Sequence, residues 1–384
     1  MRRAPLAPLS GVRRLAPSWA LLLVAAPALA EPWSVSAEVG GEVDSNVQRV
    51  ETGPGLMTTP IAAGVLRFGV RTNHKDRALG GAYVLGISDL TRYVGDSSVS
   101  VENVTVLGGD LRWLHAVGER PVLVGFGLTG ADALPISDTV GARTFRNLGA
   151  DGVLVVHSSE DSHLTLAVGG RQFKYKPDRS YDWSGPTASA RLDLMLWQSA
   201  GKTKTLELVT TLGFEARGYD VAALVNGCPP GAKPDPGCAT GTDLARRDRF
   251  QRAGIEVTWV GRQVVALGYQ ATVIDSNSFG QSLTRHRVSS SVTTTFGGNF
   301  ATLLAILQID QYNDGLLVQR DLQHAEFTNV EDENRSSLQL RLARKLSPTW
   351  SLEGRGALWR NIAGAAKELA FQRELLYAGL IYAK

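Results

Sequence analysis

Apolar and polar residues alternate along nearly the whole chain after residue 30. In the first such stretch, residues 33–43, Val35 and Val39 alternate with Glu38 and Glu42. Strict alternation is typical of a β-strand that has one apolar and one polar face. The pattern recurs in about sixteen stretches up to the end of the chain, a number within the range known for transmembrane barrels.

The connections between these stretches are alternately short and long. The short ones are residues 73–76, 116–120, 158–161, 199–203, 261, 297–299 and 347–349, whereas the others run from about eight residues to more than twenty. Bacterial outer-membrane barrels have short periplasmic turns and long outer loops. A water-soluble β-sandwich, the alternative all-β fold, has no reason to keep this phase. We therefore expect an all-β, closed, antiparallel, up-and-down transmembrane barrel with about sixteen strands, both termini being periplasmic.

Aromatic residues cluster near the ends of the expected strands, where two girdles at the membrane–water interfaces are expected. The periplasmic group comprises Trp33, Trp113, Trp197, Trp259, Phe296, Phe300, Trp350 and Tyr382. The outer group comprises Tyr93, Phe145, Phe173, Tyr175, Trp183, Tyr219, Phe250 and Tyr312. Trp197 fits its group only in part, because its position in the alternation points inward.

Residues 1–30 read as a secretory signal peptide, with a basic start, a short apolar run and an Ala28-Leu29-Ala30 cleavage site before Glu31. A membrane anchor is the alternative, but the apolar run is too short to span a bilayer. Residues 31–384 would then form the outer-membrane barrel. Without the four arginines of residues 1–30, the formal net charge of +3 falls to about −1, so a nucleic-acid partner has no support.

The polar faces of the strands carry charges of both signs, which we expect to line the lumen. The named set is Arg67, Arg71, Arg112, Arg171, Arg191, Arg217, Arg285, Arg287, Arg341, Arg355, Asp110, Asp193, Glu215, Glu256 and Asp310. Rings of charge can select solutes in a pore, and the same side chains can also simply pair across neighbouring strands. Both interpretations stay open from the sequence.

Cys228 and Cys238 are the two cysteines of the chain and lie in a Pro- and Gly-rich segment, which indicates a loop. In an exported protein, a close pair of this kind predicts a disulfide. The six histidines show no metal-ligand spacing, and no nucleophile motif is present, so we expect no metal, no cofactor and no catalytic residues. The tripeptide Asp-Ser-Asn at residues 44–46 and 275–277 predicts turn caps rather than calcium sites.

The segments Glu38–Val47 and Arg246–Arg249 followed by Gly268-Tyr269 and Asp275–Ser278 resemble the C-terminal barrel of the surface lipoprotein assembly modifier family. That family carries a periplasmic helical-repeat domain ahead of its barrel, which we do not expect in this chain. The resemblance implies a barrel of about fourteen strands and a client lipoprotein, and no functional residue carries over from it.

Sixteen strands are enough to leave an aqueous channel. The expected function is passive diffusion of ions or small polar solutes through an outer-membrane, porin-like channel. The alternatives are a translocation or surface-display barrel for a lipoprotein or secreted partner, and a surface receptor with ligand-binding loops. The expected partners are outer-membrane lipids, the barrel-insertion machinery and small polar solutes. The Asn313–Glu333 loop and the cysteine loop are long enough to enter the lumen.

Overall fold

The computed structural model describes residues 33–50, 59–78, 81–118, 121–136, 143–159, 161–201, 203–232, 236–313, 335–360 and 371–384. The predicted signal peptide and residues 314–333 of the predicted long loop lie outside these ranges. Sixteen β-strands form one closed barrel. They are β1 (Trp33–Asp44), β2 (Ala63–Ala78), β3 (Gly81–Val94), β4 (Val104–Ala116), β5 (Val122–Pro135), β6 (Phe145–Ser159), β7 (Ser162–Tyr175), β8 (Trp183–Gln198), β9 (Thr205–Asn226), β10 (Ala239–Val260), β11 (Gln263–Ser276), β12 (Leu283–Phe296), β13 (Asn299–Tyr312), β14 (Ser336–Lys345), β15 (Trp350–Arg360) and β16 (Gln372–Ala383).

Each strand pairs antiparallel with its neighbours in the chain, and β1 pairs with β16 to close the sheet. At the closing seam, Val39 lies opposite Leu380 and Gly40 lies opposite Gly379. Closure leaves no sheet edge with unpaired backbone groups. The predicted up-and-down barrel of sixteen strands is confirmed, and the alternative count of fourteen is wrong.

The outer face of the barrel is apolar and exposed. Val39, Leu66, Val168 and Leu376 lie on this face, with between 53% and 68% of their surface accessible. Paired residues on adjacent strands share a face and successive residues alternate, so the registers assign every paired residue to the outer or the inner face. An apolar belt around a closed barrel is the surface that a lipid bilayer requires.

Short connections lie at one end of the barrel and long connections at the other, here called the short-turn end and the long-loop end. Strands β9 and β10 are the longest strands of the described barrel and extend furthest into the long-loop end, with β9 ending at Asn226 and β10 beginning at Ala239. The ladder between them contains register shifts around Ala245, which let the extended hairpin bend. The connection between β11 and β12, residues 277–282, is shorter than the minimum of about eight residues predicted for the long connections.

A β-bulge corrects the expected direction of Trp197. The register between β8 and β9 shifts between Met195 and Trp197, so that Trp197 lies opposite Leu206 on the outer face. Its indole stacks on Trp259, with the ring centroids 5.7 Å apart and the planes 12° apart. Strict alternation predicted an inward Trp197 because a bulge adds one residue to the strand and so reverses the facing of the residues after it. Phe300, by contrast, lies on the inner face opposite Thr295, so it does not belong to the aromatic girdle predicted at the short-turn end.

The prediction of an outer aromatic girdle is wrong for most of the residues assigned to it. Tyr93 lies on the outer face, with 46% of its surface exposed, but the buried ones turn inward. Phe145 and Phe173 lie on inner-face positions, stack with centroids 5.9 Å apart, and belong to a buried cluster. The other predicted members on the inner face are Tyr175, Trp183, Tyr219, Phe250 and Tyr312.

Asp89 is an acidic side chain near the middle of the apolar outer face. Asp89 on β3 lies opposite Val70 on β2 and Leu107 on β4. Its Oδ1 accepts a hydrogen bond from Thr91 Oγ1 at 3.5 Å. A carboxylate at such a position costs less than an arginine or lysine would, and the sequence pattern did not single it out.

Helical structure in the described ranges is limited to short 3-10 segments, of which residues 97–102 form the longest. Asp96 caps this segment by accepting hydrogen bonds from the Ser98 hydroxyl and backbone N–H. These two bonds hold the pKa of the exposed Asp96 carboxyl below its ordinary value. No helix in the part of the chain that the structure describes is long and apolar enough to cross a membrane.

Candidate pore

The structure places all of the named charged residues on the inner face of the barrel. They are Arg67 and Arg71 on β2, Asp110 and Arg112 on β4, Arg171 on β7, Arg191 and Asp193 on β8, Glu215 and Arg217 on β9, Glu256 on β10, Arg285 and Arg287 on β12, Asp310 on β13, Arg341 on β14 and Arg355 on β15. The inner wall is therefore charged along most of its circumference.

Many of these residues form ion pairs between neighbouring strands. Arg171 donates two hydrogen bonds to Asp151, at 2.9 and 2.6 Å. Arg285 donates two to Asp310 on the next strand, both at 2.8 Å. Arg191 instead pairs with Asp193 on its own strand, with an Nη2–Oδ1 distance of 2.8 Å. Of the two interpretations that the sequence left open, pairing between charged side chains therefore applies to a substantial part of the wall.

A continuous charge network crosses the closing seam from β14 to β2. Glu38 accepts hydrogen bonds from Arg67 at 2.5 Å and from Arg355 at 3.1 Å. Glu353, which is fully buried, accepts from Arg341 at 2.5 Å and also from Arg355. Each carboxylate thus joins two arginines, and the network ties the last strands of the chain to the first.

The Tyr377 ring completes the same seam. It lies 4.6 Å from the Arg355 guanidinium and 5.7 Å from that of Arg67, measured from the ring centroid. A Cβ atom at Gly40 would come within 2.6 Å of the ring, so the glycine makes room for it. The facing of β16 was ambiguous from the sequence, because Leu375 and Ile381 on its inner face are as apolar as Leu376 and Leu380 on its outer face.

Asp44 and Arg373 form a buried pair at the long-loop end of the seam, and both side chains are fully buried. Arg373 donates to Asp44 at 2.7 Å, and Arg92 on β3 donates to the same carboxylate at 2.7 Å. Arg92 also donates to Glu42 at 3.0 Å. Sequence reasoning did not name Arg92 or Arg373. The signal that could have found Arg92 is that it alternates with the outward-facing Ile87 and Tyr93 of its own strand, whereas the facing of Arg373 on β16 was ambiguous from the sequence.

Arg217 joins the charged wall to the aromatic cluster. Its guanidinium lies 4.2 Å from the Trp183 ring centroid and 4.1 Å from that of Phe250. Its Nε donates to Glu215 at 2.6 Å, and Arg252 Nη1 donates to the other oxygen of Glu215 at 3.1 Å. Cation–π contacts of this kind stabilise a desolvated arginine, so the two aromatic rings stabilise the buried Arg217 side chain in its place on the wall.

Other charged residues project into the lumen without such contacts. Arg71, Arg112 and Asp110 are exposed on the inner face. None of the three makes a hydrogen bond or an ion pair with the part of the chain that the structure describes. Side chains of this kind remain hydrated and can meet a passing solute.

Two large cavities lie in the lumen between the described strands. One, of 740 Å³, extends along the seam past Glu38, Arg71 and Arg355. The other, of 540 Å³, lies along β8 to β14 and is lined by Arg191 and Arg287 among others. Leu304 and Gln339 line both cavities, so the two adjoin in the middle of the wall. A polar lumen with this much space holds many water molecules.

The Asp-Ser-Asn segments act as turn caps, as predicted. The Asn46 backbone N–H donates to Asp44 Oδ1 at 3.0 Å, and the Ser278 backbone N–H donates to Ser276 Oγ at 3.0 Å. The Asn277 side chain instead bonds the backbone of Ala245 and Arg247 on the neighbouring strand β10. Among the described residues, no group of three metal-ligating side chains comes together. Cys228 and Cys238 are joined, with Cα atoms 5.0 Å apart, at the tip of the β9–β10 hairpin. The tip lies beyond the lumen-lining part of β9 and β10.

The chain matches no protein-family model, and a search of curated proteins also gave no match. Solved structures with a similar barrel include OprB of Pseudomonas putida, which is 11% identical over 92% of this chain and 94% of that chain, with a TM-score of 0.47. They also include OmpF of Salmonella typhi in complex with daunomycin, which is 7% identical over 92% and 97% of the two chains, with a TM-score of 0.46. Likeness at this level concerns the barrel shape, so the chain's own residues must carry any functional conclusion.

Proposed function

We propose that this chain is an outer-membrane channel through which ions and small polar solutes diffuse passively, with both termini in the periplasm. The observation that carries the proposal is the pair of adjoining cavities inside a closed sixteen-stranded barrel. Barrels of about sixteen strands leave an aqueous channel, whereas about eight strands are filled by their own side chains.

The distribution of charge supports the same function. Charged residues such as Arg71, Arg112 and Arg191 lie on the inner face and are exposed there, whereas leucine and valine dominate the outer face. An arginine facing lipid at the bilayer midplane costs about 2–4 kcal/mol, so this arrangement suits a wet lumen in a membrane. The Asp-Ser-Asn segments that resemble the lipoprotein-assembly family serve as turn caps and give lipoprotein handling no support of their own.

Adjacent serines of β12 allow a matched test. Ser289 lines the 540 Å³ cavity, and Ser290 lies on the outer face opposite Leu267. Purified protein in liposomes should admit small sugars, detected as osmotic swelling, at a rate that falls with sugar size. Ser289→Trp should slow the swelling because the indole enters the lumen, whereas Ser290→Trp places the same indole in lipid and should leave the rate unchanged.

Equal rates for the two variants would contradict a solute path through this lumen. Failure of the wild-type protein to admit even the smallest sugar would contradict the proposed function itself. The folded state of each variant is checked by its shifted migration on unheated detergent gels.

A further inference from the structure

A small cleft lies on the inner wall between strands β10, β11 and β12. It has a volume of 70 Å³ and is lined by Arg252, Arg285, Arg287, Gln270 and Thr272, with Phe250 and Ile274 towards the long-loop end. Every one of these side chains lies on the inner face. This space holds a few water molecules or one carboxylate group.

Strand register explains why a cleft forms there. Arg252, Thr272 and Arg285 lie side by side in one row across the three strands. Adjacent strands are about 4.8 Å apart, so the short Thr272 leaves a gap between two long arginine side chains. The next row towards the short-turn end is Gly254, Gln270 and Arg287. Gly254, Gln270 and Arg287 also line the 540 Å³ cavity, so the cleft opens into the main lumen on that side.

The arginines are fixed by carboxylates that lie on the flanking strands. Arg252 donates through Nη1 to Glu215 on β9, and Arg285 donates through Nε and Nη2 to Asp310 on β13. A guanidinium has five N–H donors, so Arg252 and Arg285 each keep donors beyond these bonds. The flanking carboxylates therefore hold the two guanidinium groups in place at either side of the cleft without occupying it.

The charge of the cleft favours a singly charged anion. Glu215 is shared between Arg252 and Arg217, so Arg217, Arg252 and Arg285 face two carboxylates, those of Glu215 and Asp310. Arg191, which pairs with Asp193, and Glu256 lie further away along the larger cavity. Three guanidinium groups against two carboxylates leave one positive charge among these described residues, although the whole lumen carries both signs.

We propose that this cleft is a binding subsite for the carboxylate of a small organic monoanion that passes through the lumen. The planar guanidinium fork matches carboxylate geometry, and the Thr272 hydroxyl and Gln270 amide supply neutral donors. The body of the solute would lie in the 540 Å³ cavity. The transport role of the subsite rests on the proposed channel function.

The test uses full-length purified protein in planar bilayers in KCl, with sodium gluconate as the probe and inorganic phosphate as the comparison. Gluconate should reduce the current carried by KCl in a saturable manner. Arg252→Gln removes a charged hydrogen-bond donor and should raise the half-blocking concentration about tenfold. Thr272→Leu fills the cleft without changing any charge and should have a similar effect. Arg71→Gln removes a lumen charge on β2, away from the cleft, and should leave the half-blocking concentration unchanged.

Equal half-blocking concentrations in wild type, Arg252→Gln and Thr272→Leu would overturn the subsite while leaving the channel intact. Stronger block by phosphate than by gluconate, abolished by the same two variants, would overturn its assignment to carboxylates. If wild type shows no current at all, the channel proposal fails. Calorimetric titration of the detergent-purified protein with gluconate then decides the subsite separately: binding that Thr272→Leu abolishes supports it, and no binding overturns it.

Discussion

Asp44 joins the first strand of the barrel to the last one through a buried ion pair. Its carboxylate accepts hydrogen bonds from Arg373 on the last strand and Arg92 on the third, and it is fully buried. Removing one partner of a buried ion pair leaves the other charge desolvated and unpaired. The closing seam of the barrel should therefore be sensitive to this single side chain.

Asp44→Asn keeps the side-chain size but removes the negative charge between two buried arginines. We expect it to lower the free energy of unfolding by about 3–5 kcal/mol, measured by urea titration in lipid vesicles. Glu374→Gln is the matched control, because Glu374 pairs with Arg360 at the exposed surface of β16 and exposed pairs contribute little. Similar changes for both variants would contradict the importance of the buried pair.

Residue facing was largely predictable, whereas residue partners were not. A period of two was sufficient to place Arg67, Glu215 and Asp310 on the inner face. It could not show that Glu215 is shared by Arg217 and Arg252, because that contact depends on the register between β9 and β10. The inward aromatic residues at the long-loop end show that parity, and not nearness to a strand end, decides facing: Phe173 has the same parity as Arg171, and both side chains lie on the inner face.

At the level of strands, the bulge in β8 sets the direction of one tryptophan. The extra residue between Met195 and Trp197 brings Trp197 to the outer face, where it stacks on Trp259. Deleting Leu196 would restore regular alternation and still leave Trp197 on the outer face. The barrel should therefore fold without the extra residue of the bulge.

We expect the Leu196 deletion to fold, as judged by its migration on unheated detergent gels. The matched control deletes Leu208, which lies in a regular part of the neighbouring strand β9. That deletion shifts one part of β9 by one residue, and a one-residue slip reverses the facing of a strand segment. Glu207 moves to the outer face if the part before residue 208 shifts, and Glu215 does so if the part after it shifts. Folding of the two deletions with equal yield would be inconsistent with this account of the bulge.

The hairpin of β9 and β10 extends past its neighbours and carries the Cys228–Cys238 pair at its tip. Unfolded protein prepared without reductant should take up no maleimide, whereas reduced protein should take up label at both cysteines. The double Cys→Ser variant should retain the unfolding midpoint of the barrel, since the link closes a loop outside the strands that surround the lumen. Labelling without reductant would contradict the disulfide, and a large loss of barrel stability would contradict its peripheral role.

For the whole molecule, the lumen carries charges of both signs, and many are paired within the wall. Such a lumen should discriminate weakly between potassium and chloride, because fixed charges of opposite sign offset each other's field. Under a KCl gradient, the reversal potential should lie close to zero. A reversal potential near the Nernst potential of either ion would contradict this prediction, because it would require that charge of one sign dominates the lumen.

The architecture as a whole could be predicted because three independent patterns agreed: alternation, connection length and the avoidance of charge on the outer face. Strand count followed from the first two. The shape of the lumen could not be predicted, because cavities such as the one beside Thr272 depend on which short and long side chains come to lie next to each other across strands. The 70 Å³ cleft follows only once the register of β10, β11 and β12 is known.

The central claim is that this closed barrel encloses a continuous water-filled path. Its most direct test is single-channel recording of the purified full-length protein in a planar lipid bilayer with KCl on both sides. We predict discrete conductance steps that scale with salt concentration and decrease in Ser289→Trp but not in Ser290→Trp. A bilayer that stays sealed after verified insertion of folded protein would contradict the claim.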